Sequence, residues 1–434
     1  MEDALIEEIK RLRKKLDAKR YKLADVAIDS AYKIARKLRP ARVSDAPMAD
    51  VKYDTKRRFK KGAVDIINYQ FYDWEGKNVY LGGAERYVVD LAKLLARLGY
   101  KVRILQGAER DFRKRFQGFS VIGIKMQSRD RQDVSKVLAK ACQEAEFVIS
   151  SPDELAVGLE SIPCIAINHG VNFDDSSRQE LKECPEQNLE NPYRYILGGL
   201  RGAKKCVCVD TNFMNWVRTR DADLGKKLVF IPNYYDGKVF KPVKKHHGKK
   251  VIFVFPRRIE ECRGSIILRE AFCNVVKKYP NVELRLAGQV QNEDAQKDVN
   301  WLLEHFPKNV SHCQYGMDDV HAAYQGADVV LVPSCWSEGT SLSCLEGQAS
   351  GLPVIATNVG GLSNLVIDHY NGLLISPTAQ DLEKAMIEMI EKPEARREMG
   401  KKAIEVAKCF EKNVWEKRWE EMIKSFAEEA NKNE

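Results

Sequence analysis

No C-x-x-C pair occurs among the eleven cysteines of this 434-residue chain, and its seven histidines form no H-E-x-x-H. Those absences exclude the common zinc frameworks, and scattered, odd-numbered cysteines are the usage of a reduced cytoplasm. Cys206 and Cys208 alternate within an apolar run and are expected in a buried strand. No G-x-G-x-x-G is present either, which argues against a dinucleotide site. No stretch reads as a membrane span: residues 347–367, the longest uncharged segment, are broken by glycines, Pro353 and Asn358. The start, Met1-Glu2-Asp3, is acidic and lacks an apolar run, so no secretory signal is expected.

What is present is an uneven charge. Of the net +9, residues 1–61 supply all, with 19 basic and 10 acidic side chains; the other 373 residues hold 52 of each. A basic arm on a neutral body disfavours a nucleic-acid-binding protein, whose folded body should itself be basic. Within the arm, Leu5, Ile9, Leu12, Leu16, Leu23 and Val26 are spaced by three, four or seven, a helical stripe over residues 4–38. Pro40 and Pro47 end it. Three uses fit such an arm: lying on an anionic membrane surface, self-association or pairing with a partner helix, or packing on the body as a solvated helix.

From about residue 61, β-type runs alternate with helical ones. Runs at 64–69, 101–105, 121–124, 147–150, 164–168, 206–210 and 228–231 precede a polar linker over 236–250. The alternation restarts at 251–255, 282–287, 329–333, 353–356 and 372–375. Strands alternating with helices predict an α/β fold with two doubly wound parallel sheets, and a ligand in the cleft between their carboxyl ends. The expected division is 1–61, 62–240, 248–410 and a last segment 411–434 whose Trp415, Trp419, Met422, Ile423 and Phe426 form one apolar helix face.

The chemistry concentrates after the strand ending near Pro333. A small-residue loop carries Glu338, a helix opens near Thr340 or Ser341, and Glu346 follows about two turns on. Amides at such a helix start favour a phosphate, and the two carboxylates could hold sugar and ribose hydroxyls on either side of it. An E-x7-E pair by itself more often marks an acidic cap and a surface glutamate; the buried strand, the glycines and the Gly351-Leu-Pro353-Val-Ile sequence around it reverse that and favour the site. Asp221-Ala222-Asp223 spells D-x-D but lies in a charged helical stretch, read as a solvated face.

This second half resembles the family-4 retaining glycosyltransferases (glycosyl transferases group 1) of the GT-B fold, through E-x7-E followed by a G-x-P-V-I strand start. Phe255-Pro-Arg257-Arg258-Ile-Glu-Glu-Cys-Arg263-Gly264 resembles that family's G-R-L-x-x-x-K-G, with Arg258 on its arginine, Arg263 on its lysine, and Arg257 where glycine is usual. Val359-Gly360-Gly361, Asn371-Gly372-Leu373-Leu374, Leu286-Ala287-Gly288 and Tyr315-Gly316-Met317 continue the match. In the first half Leu81-Gly82-Gly83-Ala84-Glu85-Arg86, Ile167-Asn168-His169-Gly170 and Ile231-Pro232-Asn233-Tyr234-Tyr235-Asp236 follow in the family's order, Tyr234 replacing a glycine.

The resemblance implies two Rossmann-like domains facing a central cleft, with the basic helical extension outside the family's core. It implies transfer of a hexose-type sugar, with retained anomeric configuration, from a nucleotide-diphosphate sugar, a UDP-sugar first, to a hydroxyl of a glycan or lipid-linked acceptor. Glu338, Arg258, Arg263 and His169 would be catalytic; Gly82, Gly83, Gly339, Thr340, Ser341, Leu342, Glu346, Gly316 and Met317 would bind donor. Neither a metal nor a permanently bound cofactor is expected. The enzyme would work in the cytoplasm or at the inner face of a membrane, in surface polysaccharide or glycoconjugate synthesis. A glycogen-synthase or phosphorylase relative, and a non-catalytic scaffold recruited through the arm, are the alternatives.

Overall fold

The computed structural model describes residues 60–80, 82–171, 197–244, 250–316 and 319–432. The arm over 1–59, and with it the predicted helical stripe, lies outside the described residues, as do Leu81 and Met317.

The first sheet holds β1 (Lys60–Asn68), β2 (Lys101–Ala108), β3 (Phe112–Phe116), β4 (Phe119–Lys125), β5 (Ala145–Ser151), β6 (Cys164–Asn168), β7 (Lys205–Cys208) and β8 (Leu228–Phe230). Their order is β3-β4-β2-β1-β5-β6-β7-β8. The second holds β9 (Val251–Phe255), β10 (Val282–Ala287), β11 (Val310–Cys313), β12 (Val329–Val332), β13 (Val354–Thr357) and β14 (Gly372–Ile375), ordered β11-β10-β9-β12-β13-β14. Both sheets reverse direction beside their first strand, at β1/β5 and at β9/β12, the topological switch points where α/β folds bind ligands. Their central strands are continuous apolar runs because helices cover both faces: Ile66 and Ile67 are both buried, as are Phe253 and Val254.

One strand departs from the expected all-parallel pattern. β3 runs antiparallel to β4 at the sheet edge, joined by Gln117-Gly118 with φ of 46° and 92°. Its sequence FRKRF puts Phe112, Lys114 and Phe116 on the half-buried side, with Lys114 over the Tyr72 ring, and turns Arg113 and Arg115 outward, which suits a half-solvated edge and keeps it from pairing with another chain. β11 is also absent from the predicted strands; its four residues, VSHC, carry little apolar signal. Asp210, expected inside a strand, instead leaves it to cap the next helix.

Helices α1 (Gly83–Arg97), α2 (Arg131–Ala141), α3 (Thr211–Arg220) and the short α4 (Ala222–Gly225) belong to the first sheet. Helices α5 (Ser265–Lys278), α6 (Glu293–His305), α7 (Leu342–Ala349), α8 (Ala379–Glu391) and α9 (Pro393–Ala407) cover the second. Side-chain caps fix several starts: Asp130 on α2, Asp210 on α3, Asn292 on α6 and Thr378 on α8. In the predicted polar linker, Phe240 is buried, its ring 5.9 Å from that of Tyr324. The chain then crosses back. The Tyr235 backbone N–H donates to the Phe410 carbonyl and the Lys412 N–H to the Tyr235 carbonyl, and α10 (Lys412–Lys432) buries Trp415, Trp419, Ile423 and Phe426 in the first sheet's core.

Candidate active site

The cleft forms where the carboxyl ends of β6 and β12 meet. Gly170 follows β6 with φ +117°, and a Cβ there would stand 2.6 Å from the backbone nitrogen of Gly339. No larger residue fits this approach, because both the positive φ and the opposing backbone require glycine. Alongside, Thr340 Oγ1 donates to the Val209 carbonyl at 2.8 Å and accepts from the Asn233 backbone N–H at 2.8 Å. Asn233 Nδ2 donates to the Thr340 carbonyl at 2.6 Å. The start of α7 is thereby fixed against the first domain by three hydrogen bonds. The α1 start faces it, with Gly83 against the Leu342 side chain.

Glu338 precedes this helix, with Ser341 as its N-cap. Glu338 Oε2 accepts from Arg257 Nη2 at 2.7 Å and from Arg263 Nη1 at 2.8 Å, while Ser334 Oγ donates to Oε1. Burial alone would raise this carboxyl; Arg257 and Arg263 outweigh it and hold the group below the usual carboxylate range. Arg263 is presented by the turn closing at Gly264, whose φ of +86° and contact with the Pro333 carbonyl leave no room for a side chain. Glu346, on the inner side of α7, accepts from Arg86 Nη2 at 2.8 Å across the cleft and from the Tyr324 hydroxyl at 2.9 Å.

His169 immediately follows β6, its Nε2 2.9 Å from Ser151 Oγ and its ring edge-on to Tyr87 at 5.4 Å. Burial pushes its imidazolium down to about 4, so it is neutral at ordinary pH. Nearby Asp153 accepts from Asn168 Nδ2 at 3.1 Å; burial raises its carboxyl to about 7, against the lowering by Asn168.

These two groups act oppositely on stability. Between pH 6.5 and 4 the unfolded chain protonates His169 and the folded chain does not, so its contribution is complete above 6.5 and is lost as pH falls. Between pH 7 and 3.8 the folded chain holds a proton on Asp153 that the unfolded chain lacks, so stability from that group grows as pH falls. Urea midpoints at about pH 7.5 and about pH 5 should therefore diverge in the variants, His169→Gln gaining about 2 kcal/mol on the wild type at the lower pH and Asp153→Asn losing about as much. Equal effects at both pH values would reject the assignment.

The structure thus brings together Glu338, Arg263, Gly339, Thr340, Ser341, Leu342, Glu346, Gly82, Gly83 and His169. Arg258 lies at the cleft mouth, its side chain 56% exposed, 3.5 Å from Glu260 and near enough to Glu85 at the α1 start to act on its carboxyl, while Arg257, with a side chain 7% exposed, lies beside Glu338. Gly316 follows β11, with open space where a Cβ would stand. Sequence reasoning did not select Arg257, Ser334, Arg86, Tyr324 or Asn233. Asp221 caps α4 and Asp223 pairs with Lys226 at an exposed corner. Among the described residues no group of three or more His, Cys, Asp or Glu side chains is arranged to hold a metal ion, and no helix is long and apolar enough to cross a membrane.

A family model described as glycosyl transferases group 1 matches residues 238–406. The second domain thus carries the signature of the group 1 glycosyltransferases, and the chain has the GT-B fold. It is 25% identical over 384 residues to a D-inositol 3-phosphate glycosyltransferase of Corynebacterium aurimucosum, covering 76% of this chain and 87% of that protein. An uncharacterized glycosyltransferase of Methanocaldococcus jannaschii is 39% identical over 218 residues, 49% of this chain and 56% of that protein. Sucrose-phosphate synthase of Thermosynechococcus elongatus has the same fold, with a TM-score of 0.67 at 18% identity, covering 84% of this chain and 98% of that one. So does Anabaena HepE, solved with UDP, with a TM-score of 0.64 at 17% identity, covering 84% and 100%. The matched residues 238–406 contain Glu338, Glu346 and both inward-facing arginines.

Proposed function

We propose that this protein moves a hexose-type sugar from a nucleotide-diphosphate sugar, a UDP-sugar first, to a hydroxyl of a glycan or lipid-linked acceptor, with retention. The observation that carries the reading is Glu338: an ionised carboxylate held by two guanidiniums at the carboxyl end of β12, one helix start away from Glu346. Glu338 orients the donor sugar and Glu346 the ribose. Arg263, with Arg258 from the cleft mouth and the α7 start, neutralises the departing diphosphate, where negative charge grows as the glycosidic bond breaks. The acceptor oxygen attacks from the face the diphosphate leaves, and the departing phosphate oxygen takes its proton. Neutral His169 packs beside the anomeric carbon and adds no charge there. Neither metal nor permanent cofactor takes part.

The reading is supported by the family match and by a structural neighbour solved with UDP. The test is a melting screen of the full chain with UDP-, GDP- and ADP-sugars, followed by transfer assays on glycan, lipid-linked and inositol phosphate acceptors. A donor at about a hundred times its Kd stabilises by about 2.7 kcal/mol, readily seen in a melt. A UDP-sugar is expected to shift the melt and be consumed, with the product keeping the donor's anomeric configuration by proton NMR. No shift and no consumption with any nucleotide sugar would overturn the reading, and an inverted product would reject retention alone.

A further inference from the structure

Two guanidiniums share a single oxygen of Glu338, yet they are not equivalent. Arg263 sits at the end of a short turn, its side chain 24% exposed, with Glu260 3.5 Å away as a second carboxylate. Arg257 is walled in. Its side chain is 7% exposed, Nη1 donates to Ser334 Oγ at 2.9 Å, and Nη2 donates to Glu338 at 2.7 Å. Its backbone carbonyl lies so close over Gly288 that a Cβ there would collide with it. Its Nε is buried without a hydrogen-bond partner. A guanidinium so enclosed cannot leave Glu338 for a ligand without leaving a buried carboxylate and a buried cation both uncompensated, whereas Arg263 can turn towards the cleft.

We propose that Arg257 is a positioning residue: it keeps Glu338 ionised and in one pose throughout the donor cycle, while Arg263 exchanges Glu338 for a diphosphate oxygen. This rests on the reading of the cleft as a nucleotide-sugar site. Its logic is a division of two like charges. A carboxylate gripped only by Arg263 would lose its partner when the diphosphate arrived, and would then take up a proton or swing away from the sugar hydroxyl it must orient. With Arg257 fixed on Oε2 and Ser334 on Oε1, Glu338 retains both anchors after Arg263 leaves, and a lone pair on Oε1 remains for the sugar. Arg257 therefore acts through Glu338 and touches no donor atom.

The two arginines should then fail differently. Arg257→Gln is expected to lower kcat about 100-fold while UDP affinity stays within about threefold of wild type. Arg263→Gln is expected to weaken UDP binding about tenfold or more, since it removes a direct cation–diphosphate contact. The charged and titratable groups around Glu338 are Arg257, Arg263, Cys344 from α7 and, behind Arg263, Glu260. Removing Arg257 leaves one cation for the carboxylate, so the acid limb of kcat should move upward.

Calorimetry with UDP, ADP and GDP comes first, on the wild type. Absence of binding to all three fails the underlying reading of the cleft before any variant is made, and the inference with it. Given binding, Arg257→Gln weakening the nucleotide as much as Arg263→Gln would show direct diphosphate contact and overturn the inference. So would an unchanged kcat and acid limb. Should Arg257→Gln not fold, Arg257→Lys decides: it keeps the charge but not the two-pronged grip on Ser334 and Glu338. A wild-type acid limb with kcat reduced about tenfold supports the inference; wild-type kcat overturns it.

Discussion

Glu338→Gln is expected to lower kcat about 1000-fold while UDP binds more tightly than to the wild type. Glutamine nearly matches the volume of glutamate but removes the charge that Arg257 and Arg263 share. In the folded, ligand-free variant two guanidiniums then face each other across a neutral amide, and a partly buried cation left without its partner is costly, by about 3–5 kcal/mol at the upper end. A diphosphate entering the cleft supplies the missing negative charge. The substitution thus separates binding from turnover: the nucleotide gains an electrostatic partner, while the sugar loses the carboxylate that orients it. Initial rates and calorimetry on one preparation measure both. The melting temperature should fall without ligand and recover further with UDP than the wild type gains. A kcat within about threefold of wild type would remove Glu338 from the mechanism. Weaker UDP binding would mean that its charge does not compete with the diphosphate for Arg263.

Much of this site is legible along the chain because it is built from local signals. The strand before Pro333, the small-residue loop, the helix start and the two glutamates lie within one segment, and a buried parallel strand announces itself as an unbroken apolar run. What could not be read is which side chains meet across the fold. Arg86 and Glu346 are 260 residues apart in sequence and 2.8 Å apart in space. The Asn233–Thr340–Val209 hydrogen bonds likewise join two domains through residues with no pattern of their own. The choice between Arg257 and Arg258 shows the limit most sharply. Both follow β9, and resemblance picked out Arg258 alone; packing against Gly288, Ser334 and Glu338 draws Arg257 inward beside it. The one available signal was a cation standing where the family usually has glycine. β3 escaped for a different reason: an edge strand needs few apolar residues, so its pattern resembles a charged loop.

Truncating Trp419 to alanine should have the largest effect on stability. The sequence places this residue after the second sheet, but its indole is fully buried in the core of the first. Nε1 donates to the Tyr87 hydroxyl at 2.7 Å, and Trp415 meets Tyr87 edge-on at 5.0 Å. Losing a buried tryptophan costs about 3–5 kcal/mol through lost contacts and the cavity left behind, and the Tyr87 hydroxyl would lose its donor as well. At about 2–4 °C per kcal/mol for a domain of this size, the first domain's transition should drop by about 10 °C. The second domain keeps its own cores around β9 and β12 and should melt near its wild-type temperature, so calorimetry is expected to resolve one transition into two. Tyr87 also braces the His169 ring, hence the same variant should lose transfer activity at temperatures well below its melt. A single transition shifted by less than about 2 °C would show that α10 is not integral to the first domain's core, and that the chain's return crossing stabilises little.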